Sequence, residues 1–275
     1  MTSERPVPEG VDPTKPSVAR VYDIFLGGKD NFAVDRMVAQ KALEITPDAP
    51  YAGRSNRAFL RRVVRYLVDE VGVRQFIDLG SGLPTQGNVH EIAERYAPDV
   101  QVIYVDYDPM VLAHARVLLD NAKTATVIQA DIRQPEQILS HPDVTSRIDF
   151  DKPIGLLLFA ILHHLRDDED PAGVAARLRE PLVSGSHIAV SHFRDPGPEY
   201  AMASAKARQV EKLFNETMGT GRWRDHDEIL EYFGDTELLE PGLVPLAEWR
   251  PDADDEPVGQ TDTYHTFVGG VSRKP

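Results

Sequence analysis

Two glycines, three aspartates and three histidines carry the chemistry legible in this chain. Gly80 and Gly82 flank Ser81 directly after the apolar run Phe76-Ile77-Asp78-Leu79. A strand ending in such a pair turns tightly, and glycine there accepts positive φ and admits a ligand that would meet no Cβ. Asp78 lies two residues before Gly80. A carboxylate there repels a pyrophosphate and suits a ligand that carries positive charge. Asp106 follows Gly82 by about 24 residues, close to the spacing at which an acid accepts from ribose hydroxyls. Asp131 and Ile132 end a third apolar stretch, Thr126 to Ala130. His163 and His164 follow the apolar run Ile154 to Ala160, and His192 ends the next one, so each can serve as a base near strand ends.

These groups need strands to aim them. Arg74 to Leu79, Val100 to Val105, Thr126 to Ala130, Ile154 to Ala160 and His187 to His192 read as strands, with helices expected at about Thr85 to Tyr96, Pro109 to Leu119 and Ala172 to Leu182. The alternation describes a Rossmann-like α/β fold with a mostly parallel sheet and helices on both faces. Two closing strands, Thr236 to Trp249 and Thr263 to Val271, complete seven, the last ones antiparallel. Ahead of the sheet, Ser17 caps a helix with Val18, Val21, Tyr22, Phe25 and Leu26 on one face. Gly27-Gly28 ends it, Lys29 to Arg36 opens a second helical run, and an arginine-bearing helix spans 53–71. Residues 198–218 are helical, Gly219 to Arg224 read as an exposed hinge, and Asp225 with Glu228 forms a capping box. Asp252 to Gln260 reads as a mobile acidic loop.

With 275 residues and no linker between cores, one domain is expected over 17–275 after a flexible lead-in at 1–16. It divides into a helical cap (17–72), a cofactor-binding core (73–195), a helical insertion (196–235) and closing strands (236–271). The formal charge of -14 disfavours a nucleic-acid substrate. Arg54, Arg57, Arg61, Arg62 and Arg65 do cluster, but their spacing fits the solvated face of a helix whose apolar face is Phe59, Leu60, Val63, Val64 and Leu67. The absence of cysteine removes thiolate zinc sites and any cysteine nucleophile, including that of cytosine-C5 methylation. No stretch approaches the roughly 20 apolar residues of a membrane span, and a cytoplasmic location is expected. No metal is expected at His163-His164, since sequence neighbours point apart and no ligand stands at i,i+4.

S-adenosylmethionine joins an ammonium and a sulfonium to an adenosine, which suits Asp78, the glycine turn and Asp106 together. Asp78-Leu79-Gly80-Ser81-Gly82 resembles the first motif of class I methyltransferases that use this cofactor. Ala19 to Asp23, Leu26 to Phe32, Ser81 to Thr85 with Asn88-Val89-His90, Leu162-His163-His164 and Glu240 to Val244 form a more distinctive set. Together they resemble an actinobacterial S-adenosylmethionine-dependent methyltransferase family described as a domain of unknown function, over about Pro16 to Val271. The resemblance implies the class I fold and that Asp131 takes the adenine amino group with Ile132 packed on the ring. Met110, Tyr107, Phe159 and Tyr22 are further expected cofactor contacts, and the segment Pro16 to Arg36 is expected either as a lid that keeps Tyr22 with the core and carries Asn31 or Asp30 to the cofactor's amino acid moiety, or as a cap that only buries apolar surface.

The expected activity is O- or N-methylation of a small molecule, with His163, His164 or His192 as base. No Asn/Asp-Pro-Pro-Tyr sequence follows the fourth strand, which speaks against amino-methylation of nucleic acid. A non-catalytic S-adenosylmethionine sensor is the alternative. A nicotinamide oxidoreductase is disfavoured, because Thr85 replaces the third glycine of the dinucleotide fingerprint and no tyrosine has a lysine four residues on.

Overall fold

The computed structural model of the chain describes residues 7–84, 87–253, 255 and 261–275. Its strands are β1 (Gln75–Leu79), β2 (Gln101–Asp106), β3 (Ala125–Gln129), β4 (Gly155–Phe159), β5 (His187–Phe193), β6 (Glu237–Leu238), β7 (Val244–Pro245) and β8 (Phe267–Arg273). They lie in the order β3-β2-β1-β4-β5-β8-β6, with β7 also paired to β8. The sheet is therefore seven strands wide and has an eighth short segment on β8. β1 to β5 run parallel, while β8 is antiparallel to β5, β6 and β7.

The helices are α1 (Val18–Phe25), α2 (Ala33–Ile45), α3 (Ala49–Arg65), α4 (Val89–Ala93), α5 (Pro109–Leu118), α6 (Pro135–Leu139), α7 (Pro142–Arg147), α8 (Pro171–Arg179), α9 (Ala201–Met218), α10 (His226–Leu230) and α11 (Asp262–His265). Side chains alternate across each strand. Ile77, Ile103, Leu156, Leu158, Ile188 and Val190 pack toward α8 and α10. Phe76, Val102, Tyr104, Leu157, Phe159 and Ala189 pack toward α3, whose Phe59, Leu60, Val63 and Val64 cover them. Gly155 is required on this face, because a Cβ there would stand 2.5 Å from the Phe76 ring. Among the described residues no helix is long and apolar enough to cross a membrane.

Several elements differ from the sequence expectation. The helix expected from Thr85 begins at Val89, because Glu91 reaches back to accept from Gly87 and Asn88 N–H at 2.9 and 2.8 Å. Thr85 itself is outside the described residues. The second helical run starts at Ala33, since Asp35 accepts from the Phe32 N–H at 2.8 Å and caps the helix there. The last closing strand begins only at Phe267; Asp262 to His265 form α11 instead. The other closing stretch retains two short segments, β6 and β7. Helices α6 and α7 escaped the pattern, each opened by a proline at its first position.

The arginine helix departs most. Arg62 is 2% exposed. Its Nε donates to the Trp249 carbonyl at 2.9 Å, Nη2 to the Leu246 carbonyl at 2.6 Å and Nη1 to Asp255 Oδ2 at 2.6 Å. Arg61 also pairs with Asp255, and Arg65 with Asp252. Asp252 and Asp255 are thus docked against α3; Asp254 and residues 256–260 of that loop lie outside the described residues. Removing one partner of a buried pair leaves the other desolvated and alone. Arg62→Met is therefore expected to lower stability by about 3 kcal/mol in denaturant titration, while Arg61→Ala, at an arginine that is itself 44% exposed and whose partners keep Arg62 and Arg65, costs less than about 1 kcal/mol.

Candidate active site

A cavity of ≈ 510 Å³ lies at the C-terminal ends of β1, β2, β4 and β5, beneath α1 and beside α9. Gly80 and Gly82 turn there with φ of 68° and 67°. A Cβ on Gly80 would come within 2.6 Å of the Ile161 side chain, whereas one on Gly82 would meet nothing within 4 Å. Gly80 and Ser81 N–H donate to the Val105 carbonyl at 2.8 and 3.2 Å, and Gly82 N–H donates to Asp106 Oδ2 at 2.9 Å. The turn is thereby tied to the end of β2. Asp106 Oδ1 accepts from the Asp108 N–H at 3.0 Å.

Period two places Asp78, Asp106 and Phe159 on the α3 face of the sheet, and all three line the cavity. Burial pushes the Asp78 carboxyl up to about 7, against the pull of the Arg57 guanidinium, and Asp106 adds to the rise. Burial pushes Asp106 itself up to about 6, opposed by the N–H groups of Asp108 and Gly82. Arg57, expected on a solvated helix face, lines the cavity and donates to the Gly87 carbonyl at 2.5 Å.

Tyr22, Ser81, Tyr107, Asp131, Ile132, His163 and His164 line the same space. Asp131 does so while held by Arg133, whose Nε lies 2.9 Å from both carboxylate oxygens and which lowers its pKa. Asn31, Met110 and His192 stand elsewhere. Asn31 Nδ2 donates to Asp23 Oδ2 at 3.2 Å and to the Gly28 carbonyl at 3.3 Å, so it braces the loop after α1. Asp23 takes its place at the cavity wall, which the sequence reading missed; its carboxylate occupies the space of a Gly28 Cβ, 1.9 Å away. Met110 is buried with Leu83 and Val111 beneath Val11 and Phe32. His192 shares the parity of Ile188 and Val190, so it packs against Tyr232 on the opposite face.

Hydrogen bonds separate the three histidines. His163 Nδ1 accepts from the Phe193 N–H at 3.1 Å, which puts its proton on Nε2, a buried atom with no partner. His192 Nδ1 lies 2.6 Å from the Phe193 carbonyl and must donate, while Nε2 faces Arg224 Nη1 at 3.4 Å. Neither keeps an available lone pair. His164 differs: the Thr220 hydroxyl donates to the His164 carbonyl at 2.5 Å, and its oxygen faces Nδ1 at 3.5 Å. That arrangement puts the proton on Nδ1 and the lone pair on Nε2, which no described residue engages. Burial lowers all three; His164 falls to about 4 and His192 to about 3. The segment Gly219 to Arg224, expected as an exposed hinge, is docked here: Arg222 N–H donates to the His163 carbonyl at 2.8 Å and Trp223 stacks on Phe193.

A family model described as S-adenosyl methyltransferase matches residues 4–275. The chain belongs to that family. Among solved structures, the methyltransferase is similar to a candidate methyltransferase of Thermobifida fusca at 42% identity and TM-score 0.89, over 97% of each chain. It is also similar to a DUF574 family protein of Streptomyces avermitilis at 36% identity and TM-score 0.88, over 96% of this chain and 99% of that one. The plantazolicin methyltransferase BamL, at 10% identity and TM-score 0.54 over 93% and 95%, shares the fold alone. No curated protein matches the chain.

The cavity residues fit S-adenosylmethionine. The Gly82 backbone leaves open room, Asp106 offers two oxygens to a diol, and the costly Asp78 carboxylate would be relieved by a cation. This has a pH signature. Both carboxyls are raised in the free enzyme and bind protons below about 7; a cationic ligand favours their charged forms and releases protons. S-adenosylmethionine affinity is therefore expected to rise from about pH 6 to about pH 8, by at most about tenfold per pH unit per proton. Calorimetry of the wild type and of Asp78→Asn checks this, since the variant should lose most of the slope; a flat wild-type profile contradicts it.

Proposed function

We propose that the methyltransferase methylates an oxygen or nitrogen of a small molecule bound beyond the glycine turn, with His164 as the base. The observation that carries the reading is the His164 ring at the cavity wall, neutral, with Nε2 unengaged and its tautomer held by Thr220. When bound, S-adenosylmethionine supplies a methyl group on a positively charged sulfur, open to in-line attack. Asp106 and the Gly82 backbone hold the adenosine end, and Asp78 faces the positive charge. His164 Nε2 takes the proton that the acceptor loses. α1 covers the site, since Val18, Val21, Tyr22 and Phe25 line its upper wall. A nucleic-acid acceptor is disfavoured by the charge of -14.

A base works in its neutral form, so a pKa lowered to about 4 extends activity toward acid. With labelled cofactor and a bacterial small-molecule extract, the wild-type rate should hold down to about pH 5 as far as this base controls it, while His164→Ala loses about 10²-fold or more and keeps its cofactor affinity. Equal turnover in variant and wild type removes the base and leaves positioning alone.

A further inference from the structure

Beyond the glycine turn the cavity changes character. His163 stacks on Phe193 with centroids 3.7 Å apart and planes 14° apart, and Trp223 stacks on Phe193's other side at 4.3 Å and 8°. Phe267 leans on Phe193 at 4.9 Å and 58°. These four rings form one wall. α9 meets this wall at one end, where Phe214 lies 6.0 Å from Trp223 between ring centroids and Phe193 and Trp223 pack against the cluster that holds Val210 and Phe214; Ala203 and Ala207, nearer the start of the helix, line the cavity beside it. The two alanines leave room where larger side chains on the same face would fill the gap.

Asp78, Asp106, Asp131 and Arg133 belong to the glycine-turn end. Beside α9, Lys206 and Asp262 neutralise each other at 2.6 Å, and of the charged lining residues that follow His164, Arg166 pairs with Asp168 at 2.9 Å and Glu169 with Arg133 at 2.8 Å. A phosphorylated or zwitterionic acceptor would have to give up its hydration there for no matching unpaired charge. Ring edges carry partial positive charge and ring faces partial negative charge, so a wall of rings favours a ligand that offers the same surfaces.

We propose that the methyl acceptor is an uncharged, planar aromatic molecule bearing a hydroxyl or ring nitrogen, held between the His163–Phe193–Trp223 stack and the Ala203–Ala207 stretch of α9. This deepens, and rests on, the reading that methyl transfer takes place in this cavity. His164 lies along the same wall, next to the stack, at 4.4 Å from the His163 ring centroid and 6.4 Å from that of Phe193. An aromatic hydroxyl set against the stack thus brings its proton toward His164 Nε2, the nitrogen left with a lone pair, whereas the unpartnered His163 Nε2 carries a proton.

The test is calorimetric and independent of turnover. Full-length protein loaded with S-adenosylhomocysteine is titrated with 2-naphthol and 8-hydroxyquinoline as probes, and with cyclohexanol, decanol and phenyl phosphate as comparators. The expected result is saturable binding of an aromatic probe about tenfold or more tighter than any comparator, weakened about tenfold by Ala207→Phe, which fills the gap, and by Trp223→Leu, which shortens the stack. S-adenosylhomocysteine should bind both variants as it binds the wild type. If Ala207→Phe does not fold, as judged by circular dichroism, Trp223→Leu decides. Aromatic probes that bind no tighter than the comparators, or that bind the folded variants unchanged, overturn the inference. Failure of S-adenosylhomocysteine to bind the wild type would instead strike at the methyl-transfer reading beneath it.

Discussion

Holding the Asp78 and Asp106 carboxyls out of water at the ends of neighbouring strands costs free energy that the protein recovers through protonation or through a cation. The two residues are 5% and 7% exposed, and both titrate far above the ordinary carboxylate range. The cost follows from their position. Both lie on buried strands whose register is set by the apolar residues beside them, so neither can turn toward solvent without slipping the sheet. The glycine turn is built on the same constraint, because the Asp106 carboxylate that is denied water takes the Gly82 N–H in exchange. A positive charge placed beside Asp78 would relieve that cost.

The opposite wall hangs on a chain of polar contacts through the apolar α3 face. The Ala160 N–H donates to Ser191 Oγ at 2.9 Å, Ser191 Oγ donates to Asn56 Oδ1 at 2.7 Å, and Asn56 Nδ2 donates to the Tyr22 hydroxyl at 3.1 Å. Tyr22 completes it by donating to the Gly53 carbonyl at 3.3 Å. Ala160, with φ of 53°, sits in a region that costs a residue bearing a Cβ, and this network holds it there. The same network joins α1 to β4 and β5. The cover of the cavity is therefore coupled to the strand ends from which the histidines project.

The N-terminal motif residues are explained mainly by one another. Arg20 Nε donates to Asp35 Oδ2 at 2.8 Å with both side chains buried, and Asp35 Oδ1 accepts from the Ser17 N–H at 3.0 Å. Asp23 organises Gly28 to Asn31 in the same way. Such buried ionic groups tolerate little change, because each substitution would strand a partner in the core. Ser17 Oγ then donates to Asp108 Oδ2 at 2.5 Å, so the segment is tied to the N-terminus of α5 beside Asp106. Asp108 also caps α5 by accepting from the Met110 N–H at 2.8 Å, and the sequence reading, which opened that helix at Pro109, named neither role.

By itself the sequence determined the parallel sheet, the glycine turn and the strand-end acids, because period-two burial, glycine's freedom at positive φ and the spacing of an acid after such a turn are local properties. It also carried the methyltransferase family, through motifs that are contiguous in the chain. It did not decide which face of the sheet bears the cavity. That choice separates His164 from His192 and depends on where α3 and α9 pack; Met110 and Asn31 leave the wall because Val11 and Phe32 pack on the one and Asp23 holds the other. Arg57 and Arg62 occupy one helix in a pattern that reads as solvated, yet one meets the Asp78 field and the other is buried by Trp249 and Asp255, residues nearly two hundred positions away. The stack of His163, Phe193 and Trp223 likewise joins three segments that share no periodicity. Long-range packing brings such groups together, and no local spacing records it.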